Sequence, residues 1–182
     1  MKMEGKRREF IPYAGIVPLV AIMLCLRHDD LNAIALLEYA ILLIFGYIAT
    51  WQDYKKRIVP NKLVLAMLSA WVLLRVPQLF WSTDRAVAEV VAALAGAILA
   101  GVLFLILYLV SRHGIGGGDV KFMTVAGLYL KLGSVLPAIL WGAVLAAAAG
   151  MILILSKKMK RDDKIPLIPF LYVGIVCVVF VR

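Results

Sequence analysis

Several long apolar runs dominate this sequence of 182 residues, and each is close to the roughly 20 residues that a helix needs to cross a bilayer. A backbone in lipid must satisfy its own hydrogen bonds, so a chain built from such runs folds as membrane-spanning helices. The hydrophobic content of 64% and the mean hydropathy of +0.96 exceed those of a typical soluble domain. The sequence therefore predicts an all-α, polytopic membrane helical bundle.

We place seven apolar segments along the chain, at 10–26, 33–51, 63–81, 86–110, 120–132, 134–155 and 165–181. The fifth has only about 13 residues, too few for a straight helix to cross alone, so six or seven transmembrane segments are expected. The first resembles a signal peptide, but charged residues follow it instead of a small-residue cleavage site, and we expect it to be retained. Residues 1–182 form one predicted integral membrane domain, in which 10–26 is an extra N-terminal segment and 33–181 is the core.

Lysine and arginine are distributed unevenly between the two sides of these segments. With a cytosolic N-terminus and alternation through seven segments, one side receives Lys2, Lys6, Arg7, Arg8, Lys55, Lys56, Arg57, Lys62, Arg112, Lys121, Lys157, Lys158, Lys160, Arg161 and Lys164. The other side receives Arg27, Arg75, Arg85, Lys131 and Arg182. Positive charge accumulates on the cytosolic side of membrane proteins, so the richer side is predicted to face the cytosol of a cell membrane. This arrangement accounts for the net charge of +9, and nucleic-acid binding is not expected.

Two acidic residues lie at the predicted cytosolic boundary. Asp53 follows the apolar run that ends at Trp51, and Asp119 follows the glycine-rich residues 114–118. Ionisable groups so close to a membrane core are costly and indicate a functional site. The glycines can adopt positive φ and carry no side chain, so a peptide substrate could lie against their backbone beside Asp119. The alternative is a plain loop in which Asp119 caps the following helix.

Two carboxyl groups held close together would form a water-activating pair. They share one proton, because like charges at short range cannot both ionise cheaply. The ionised member takes a proton from water as the water attacks a peptide carbonyl, and the protonated member donates to the carbonyl oxygen. The pair titrates as a unit, so neither acid has an individual assignment.

Other reactive groups compete poorly with this pair. The only histidines, His28 and His113, fall on opposite sides of the predicted bundle, and the two cysteines lie in apolar segments without a CxxC motif. No metal site, disulfide framework or cofactor is therefore expected. A phosphate-binding loop is excluded because the glycines lack the GxxxxGK[ST] pattern. Glu38 and Glu89 lie near segment starts on the external side, where we expect an interfacial role.

Two segments resemble the motifs of the type IV prepilin peptidases, which are GxGD-type aspartyl proteases of bacterial and archaeal membranes. One is Asp53, six intervening residues and then Pro60-Asn61; the other is Gly116-Gly117-Gly118-Asp119 with Lys121. The proline-containing stretch 165–170 is similar to a C-terminal stretch of that family. The resemblance covers most of the chain from about residue 35 onward.

The resemblance implies that Asp53 and Asp119 are the catalytic pair. It implies cleavage of prepilin-like precursors, which carry a basic leader and a hydrophobic helix, at the cytosolic membrane face and after a glycine. The substrate-binding or site-shaping residues would be Gly116, Gly117, Gly118, Lys121, Pro60 and Asn61. Lys121 would tune the charge of the pair or contact substrate; alternatively, its side chain simply extends to the membrane interface.

The longer, bifunctional members of that family differ from this sequence. They carry a cytosolic domain with paired CxxC motifs and also methylate the new pilin N-terminus. This sequence lacks that insertion and resembles the short, peptidase-only members of tight-adherence pilus systems or the archaeal preflagellin peptidases, so methyltransferase activity is not expected. Two other hypotheses are a GxGD intramembrane protease with other substrates and a non-enzymatic membrane subunit or transporter. The position of the acids at segment ends counts against transport, which favours charges at mid-membrane.

Overall fold

The computed structural model describes residues 15–27, 32–81, 83–111, 115–156 and 166–181. Within these ranges the regular structure is helical: α1 Ile16–Arg27, α2 Ala33–Lys56, α3 Asn61–Arg75, α4 Gln78–Trp81, α5 Thr83–Val110, α6 Gly117–Leu155 and α7 Ile168–Val181. Four stretches are long and apolar enough to cross a membrane, namely Ala33–Lys56, Asn61–Phe80, Asp84–Val110 and Gly117–Leu155, while α1 and α7 are shorter apolar helices. The all-α polytopic bundle is thus confirmed. Residues 10–14, both histidines and the basic segment 157–164 lie outside the described residues.

A tight connection between α2 and α3 follows the first acid of the predicted pair. Asn32 begins α2, and its side-chain oxygen accepts a hydrogen bond from the Ala35 N–H at 2.8 Å. The helix ends at Arg57, whose φ of 52° is left-handed and whose N–H donates to the Asp53 carbonyl oxygen at 2.8 Å. Pro60 then precedes α3 in an extended conformation. Asp53 therefore lies in the last turn of a helix, at one end of the bundle.

The long helix α6 reverses direction at Lys131, where φ is 57° and ψ is 174°. Its first arm, 117–130, runs antiparallel to α5, since a Cβ on Gly101 would contact Thr124 and one on Gly96 would contact the carbonyl of Gly127. This reversal separates the predicted fifth and sixth segments. The first arm is about 21 Å long at 1.5 Å per residue, shorter than a hydrocarbon layer of about 30 Å.

The second arm of α6 returns alongside α7, which runs in the opposite direction. A Cβ on Gly142 would lie 2.8 Å from the Leu171 Cα, and one on Gly174 would contact Ala138. Glycine permits this close approach of helix backbones, the role that small residues fill in membrane bundles. The first residue of α7 contacts Asp53, so α7 begins beside the end of α2. The first arm of α6 therefore runs from the Asp53 end of the bundle to the opposite end, and the second arm returns to the Asp53 end.

Candidate active site

The two acids of the predicted pair lie at the same end of the bundle. Asp53 is in the last turn of α2 and Asp119 is in the first turn of α6, and their side chains are buried, with exposures of 6% and 7%. They are separated by 66 positions in the sequence, yet they are close enough for the charge of Asp53 to act on Asp119. The structure therefore places the two predicted carboxyl groups at one end of the bundle and within electrostatic range of each other.

A helix N-terminus contributes a hydrogen bond to Asp53. The Ile168 N–H, the first of α7, donates to Asp53 Oδ2 at 3.3 Å. The partial positive charge of a helix start stabilises a nearby carboxylate. The Arg57 guanidinium also lies within electrostatic range of Asp53. Sequence reasoning did not place Ile168 in the site, although Pro166 and Pro169 beside it gave the signal of a helix start.

Asp119 is held by the start of its own helix. Its Oδ2 accepts the Gly116 N–H at 3.0 Å, and its N–H donates to the Gly116 carbonyl oxygen at 3.0 Å. Because α6 begins at Gly117, Gly116 is the N-cap and Asp119 is the third helical residue. The alternative that Asp119 is itself the N-cap is wrong in position, but its side chain does cap the helix start by accepting the Gly116 N–H. The glycines do not use their freedom to adopt positive φ: Gly116 has a φ of −76°, and no described glycine has a positive φ.

The three glycines before Asp119 differ in the space around them. A Cβ on Gly118 would lie 3.1 Å from the Val59 Cβ, so this glycine lets α6 approach the connection between α2 and α3. A Cβ on Gly116 would lie 3.3 Å from Asp119 Oδ2. A Cβ on Gly117 would meet nothing within 4 Å, and Gly117 is exposed. The glycines therefore matter for their lack of side chains, with Gly117 facing open space.

Lys121 links two of the helices that form the site. Its ammonium group donates to Asn61 Oδ1 at 3.0 Å, and both side chains are exposed. Asn61 begins α3 directly after Pro60, so this contact connects the second turn of α6 to the start of α3. The residues predicted from both motifs thus occupy one region. Among the described residues, no group of three or more metal-ligating side chains occurs.

Residues 40–152, which include both acids and the glycine-rich helix start, match the model of a protein family. The chain belongs to the type IV leader peptidase family. It is 30% identical over 124 residues to the "Prepilin leader peptidase/N-methyltransferase" of Burkholderia pseudomallei strain K96243, and 27% identical over 122 residues to the protein of that name from Xanthomonas campestris pv. campestris. These alignments cover 67% of this chain and 39% and 42% of the two relatives, so the chain spans about two fifths of their length. No solved structure matches.

This leader peptidase family member also has a charged cluster that sequence reasoning missed, at the opposite end of the bundle. Glu38 and Arg75, from α2 and α3, are buried and form a bidentate ion pair, with Arg75 Nε and Nη2 each 2.5 Å from a carboxylate oxygen. Glu89 of α5 and Lys131 of α6 pair with each other and extend the cluster. The interfacial role expected for Glu38 is wrong, because this side chain lies inside the protein. The sequence did offer one signal for this cluster, because it assigned Glu38, Glu89, Arg75 and Lys131 to the same predicted side of the membrane.

Proposed function

We propose that this chain is a membrane aspartyl endopeptidase that cleaves the leader peptide of prepilin-like precursors after a glycine, at the cytosolic membrane face. The observation that carries the proposal is that Asp53 and Asp119, two buried carboxyl groups at one end of the bundle, lie within electrostatic range of each other beside an exposed glycine. Family membership and the names of the relatives support leader peptides as substrates.

Asp53 and Asp119 act as one catalytic pair in this proposal. They share a proton, and the ionised carboxylate removes a proton from the attacking water while the other carboxyl protonates the carbonyl oxygen. Each carboxylate already accepts one backbone N–H, from Ile168 and Gly116, which fixes its orientation. Because both groups are largely buried, the field between them is less screened than it would be in water.

The open space at Gly117 is the proposed binding place for the backbone around the scissile bond. An extended peptide needs room to approach the pair, and a side chain at this position would occupy that room. Gly118, Val59, Pro60 and Asn61 shape the floor of the site by holding the α2–α3 connection against α6. The activity proposed for this chain is peptidase activity, without methyltransferase activity.

The charges around the pair favour a cytosolic site. Lys55, Lys56, Arg57 and Lys62 are exposed on the two helices that flank the connection, and Lys121 is exposed on α6. Basic residues of this density at one end of a membrane bundle are typical of the cytosolic side. A substrate with its leader in the cytosol would present the cleavage site to this end.

Co-expression with a prepilin-like precursor in a host without its own leader peptidase tests the proposal. We expect wild type to remove the leader, seen as a gel shift and by mass at the new N-terminus, and Asp53→Asn and Asp119→Asn to accumulate in the membrane without cleaving. Asp84→Asn is the matched control, because Asp84 is exposed in the first turn of α5. Normal processing by either Asp variant of the pair would refute the mechanism.

A second precursor in which alanine or leucine replaces the glycine at the cleavage site tests specificity. Leader peptidase function predicts that this precursor is cleaved poorly. Equal cleavage of both precursors, with the same dependence on Asp53 and Asp119, would instead indicate an intramembrane protease with broader substrates.

A further inference from the structure

The charged cluster opposite the active site connects the helices that carry the two catalytic acids. Glu38 belongs to α2, which carries Asp53, and Lys131 lies where the first arm of α6, which carries Asp119, ends. Lys131 pairs with Glu89 and lies 4.0 Å from Glu38 Oε2. We use the term ion network for Glu38, Arg75, Glu89 and Lys131.

The ion network has equal numbers of positive and negative groups, and its burial is graded. The Glu38 and Arg75 side chains are 2% and 5% exposed, while those of Lys131 and Glu89 are 23% and 44% exposed. Arg75 also reaches Glu89 at 3.4 Å. Every charged group therefore has an opposite charge in contact, as buried charges in a membrane protein require.

The backbone of Lys131 has a conformation that is unusual for a lysine. A φ of 57° with a ψ of 174° is a conformation that glycine adopts freely and other residues rarely do. If the position served only to reverse the chain, glycine would suit it better. A lysine at this point is accounted for by its side chain, which forms the ion pair with Glu89 on the neighbouring helix.

The ion pair lies at one end of a close contact between the first arm of α6 and α5. At Gly96 and Gly127 the two backbones approach closely, and at Gly101 the Thr124 side chain packs where a Cβ would lie. Small residues of this kind give close packing between membrane helices. The ion network lies about 18 Å from Asp119 at 1.5 Å per residue, and there it connects the end of the arm to α5 and α2.

We propose that the ion network positions Asp119 against Asp53, and that Lys131 is a positioning residue for the reaction although it lies at the far end of the bundle. The catalytic part of this inference rests on the proposed function. The network holds the first arm of α6 in register with α2 and α5, so that the carboxyl groups meet at the distance that the reaction requires.

Three variants of Lys131 separate positioning from chain reversal. Lys131→Gly relieves the backbone but removes the ion pair, Lys131→Gln keeps a side chain without the charge, and Lys131→Arg keeps the charge. We expect kcat for precursor cleavage to fall about 100-fold in the Gly and Gln variants, the scale on which a misplacement of about 1 Å acts, with KM unchanged. Lys131→Arg should remain close to wild type. Arg85→Met is the control, because Arg85 is exposed one turn before Glu89.

A disulfide reporter measures the position of the arm without using the reaction. An ideal Cβ at Gly101 lies 3.6 Å from the Thr124 Cβ, within the range of about 3.5–4.5 Å that disulfides span. The pair Gly101→Cys and Thr124→Cys is introduced after replacement of Cys25 and Cys177 by alanine. Oxidative cross-linking should be fast in the wild-type and Lys131→Arg backgrounds, and slower in the Gly and Gln backgrounds.

Two results would overturn the proposal. Wild-type kcat in Lys131→Gly would mean that Lys131 only reverses the chain. Unchanged cross-linking in a variant with low kcat would mean that the arm is not displaced. If wild type cleaves no precursor, the proposed function fails, and the cross-linking rates still decide whether the network holds the arm. If Lys131→Gly does not accumulate in the membrane, the Gln variant decides by the same measurements.

Discussion

We predict how much stability is lost when the buried ion pair between Glu38 and Arg75 is broken. Both Arg75 Nε and Nη2 contact the Glu38 carboxylate at 2.5 Å, and both side chains are almost completely buried. Removing one partner leaves the other charge in a medium that solvates it poorly. The pair can be perturbed with little change in volume by Glu38→Gln and Arg75→Met.

Breaking a buried ion pair by removing one partner costs about 3–5 kcal/mol, or roughly two to four orders of magnitude in the folding equilibrium. We expect Arg75→Met near the lower end, because Lys131 lies 4.0 Å from Glu38 and partly compensates. In Glu38→Gln, Arg75 keeps Glu89, at 3.4 Å, as a charged partner, and its Nη1 still donates to Gln78 Oε1 at 3.1 Å. The double variant removes both charges and should lose less than the sum of the single variants, with a coupling free energy of about 2–3 kcal/mol.

The assay is reversible unfolding in mixed micelles, with SDS titrated into a mild detergent and helicity followed by circular dichroism. The four proteins of the cycle are compared under one set of conditions, with Arg85→Met as a variant that removes an exposed arginine from the same end. Additive effects, with a coupling free energy below about 0.5 kcal/mol, would refute the view that Glu38 and Arg75 act as a buried unit.

Three further results are expected. Gly118→Ala should lower the free energy of unfolding by about 1 kcal/mol, because overpacking against Val59 exceeds the gain in helix propensity. Gly117→Ala would meet no neighbouring atom, so it should keep or slightly raise the free energy of unfolding while it raises KM for the precursor. Thermal unfolding and cleavage kinetics check both variants. Tyr129→Phe should cost about 1 kcal/mol in the same unfolding assay, because the buried Tyr129 hydroxyl donates to the Met67 carbonyl oxygen at 2.7 Å. The pH profile of kcat/KM should be bell-shaped, since the reaction needs one carboxyl ionised and its partner protonated, and a profile with a single limb would contradict the shared-proton mechanism.

The distance between the candidate active site and the ion network bears on how the bundle sits in a bilayer. Asp53 and Glu38 are 15 residues apart on α2, or about 22 Å along the helix axis. A hydrocarbon core of about 30 Å is thicker than this, so the two charged sites cannot both lie outside an undistorted layer. Burial of Glu38 against Arg75 and of Asp53 against the start of α7 keeps both acids away from lipid.

The sequence by itself determined the helical class and the ends of most helices, and it assigned Asp53 and Asp119 to one side of the bundle. These follow from quantities that are read along the chain: the length of an apolar run, the alternation of sides and the position of each acid relative to the run. The assignment of Glu38, Arg75, Glu89 and Lys131 to one side came from the same alternation. The family motif then distinguished this acid pair from other acids at helix ends.

Only the tertiary structure decided which groups touch. The Ile168 N–H that binds Asp53 is 115 positions away in the sequence, and the approach of Gly118 to Val59 depends on how α6 packs against the α2–α3 connection. The boundary between the fifth and sixth predicted segments indicated a break near the reversal, but lysine rarely adopts positive φ, so the conformation of Lys131 itself had no local signal. The ion network was hidden for the same reason: the sign of a charge is local, but its burial and its partner depend on the packing of four helices.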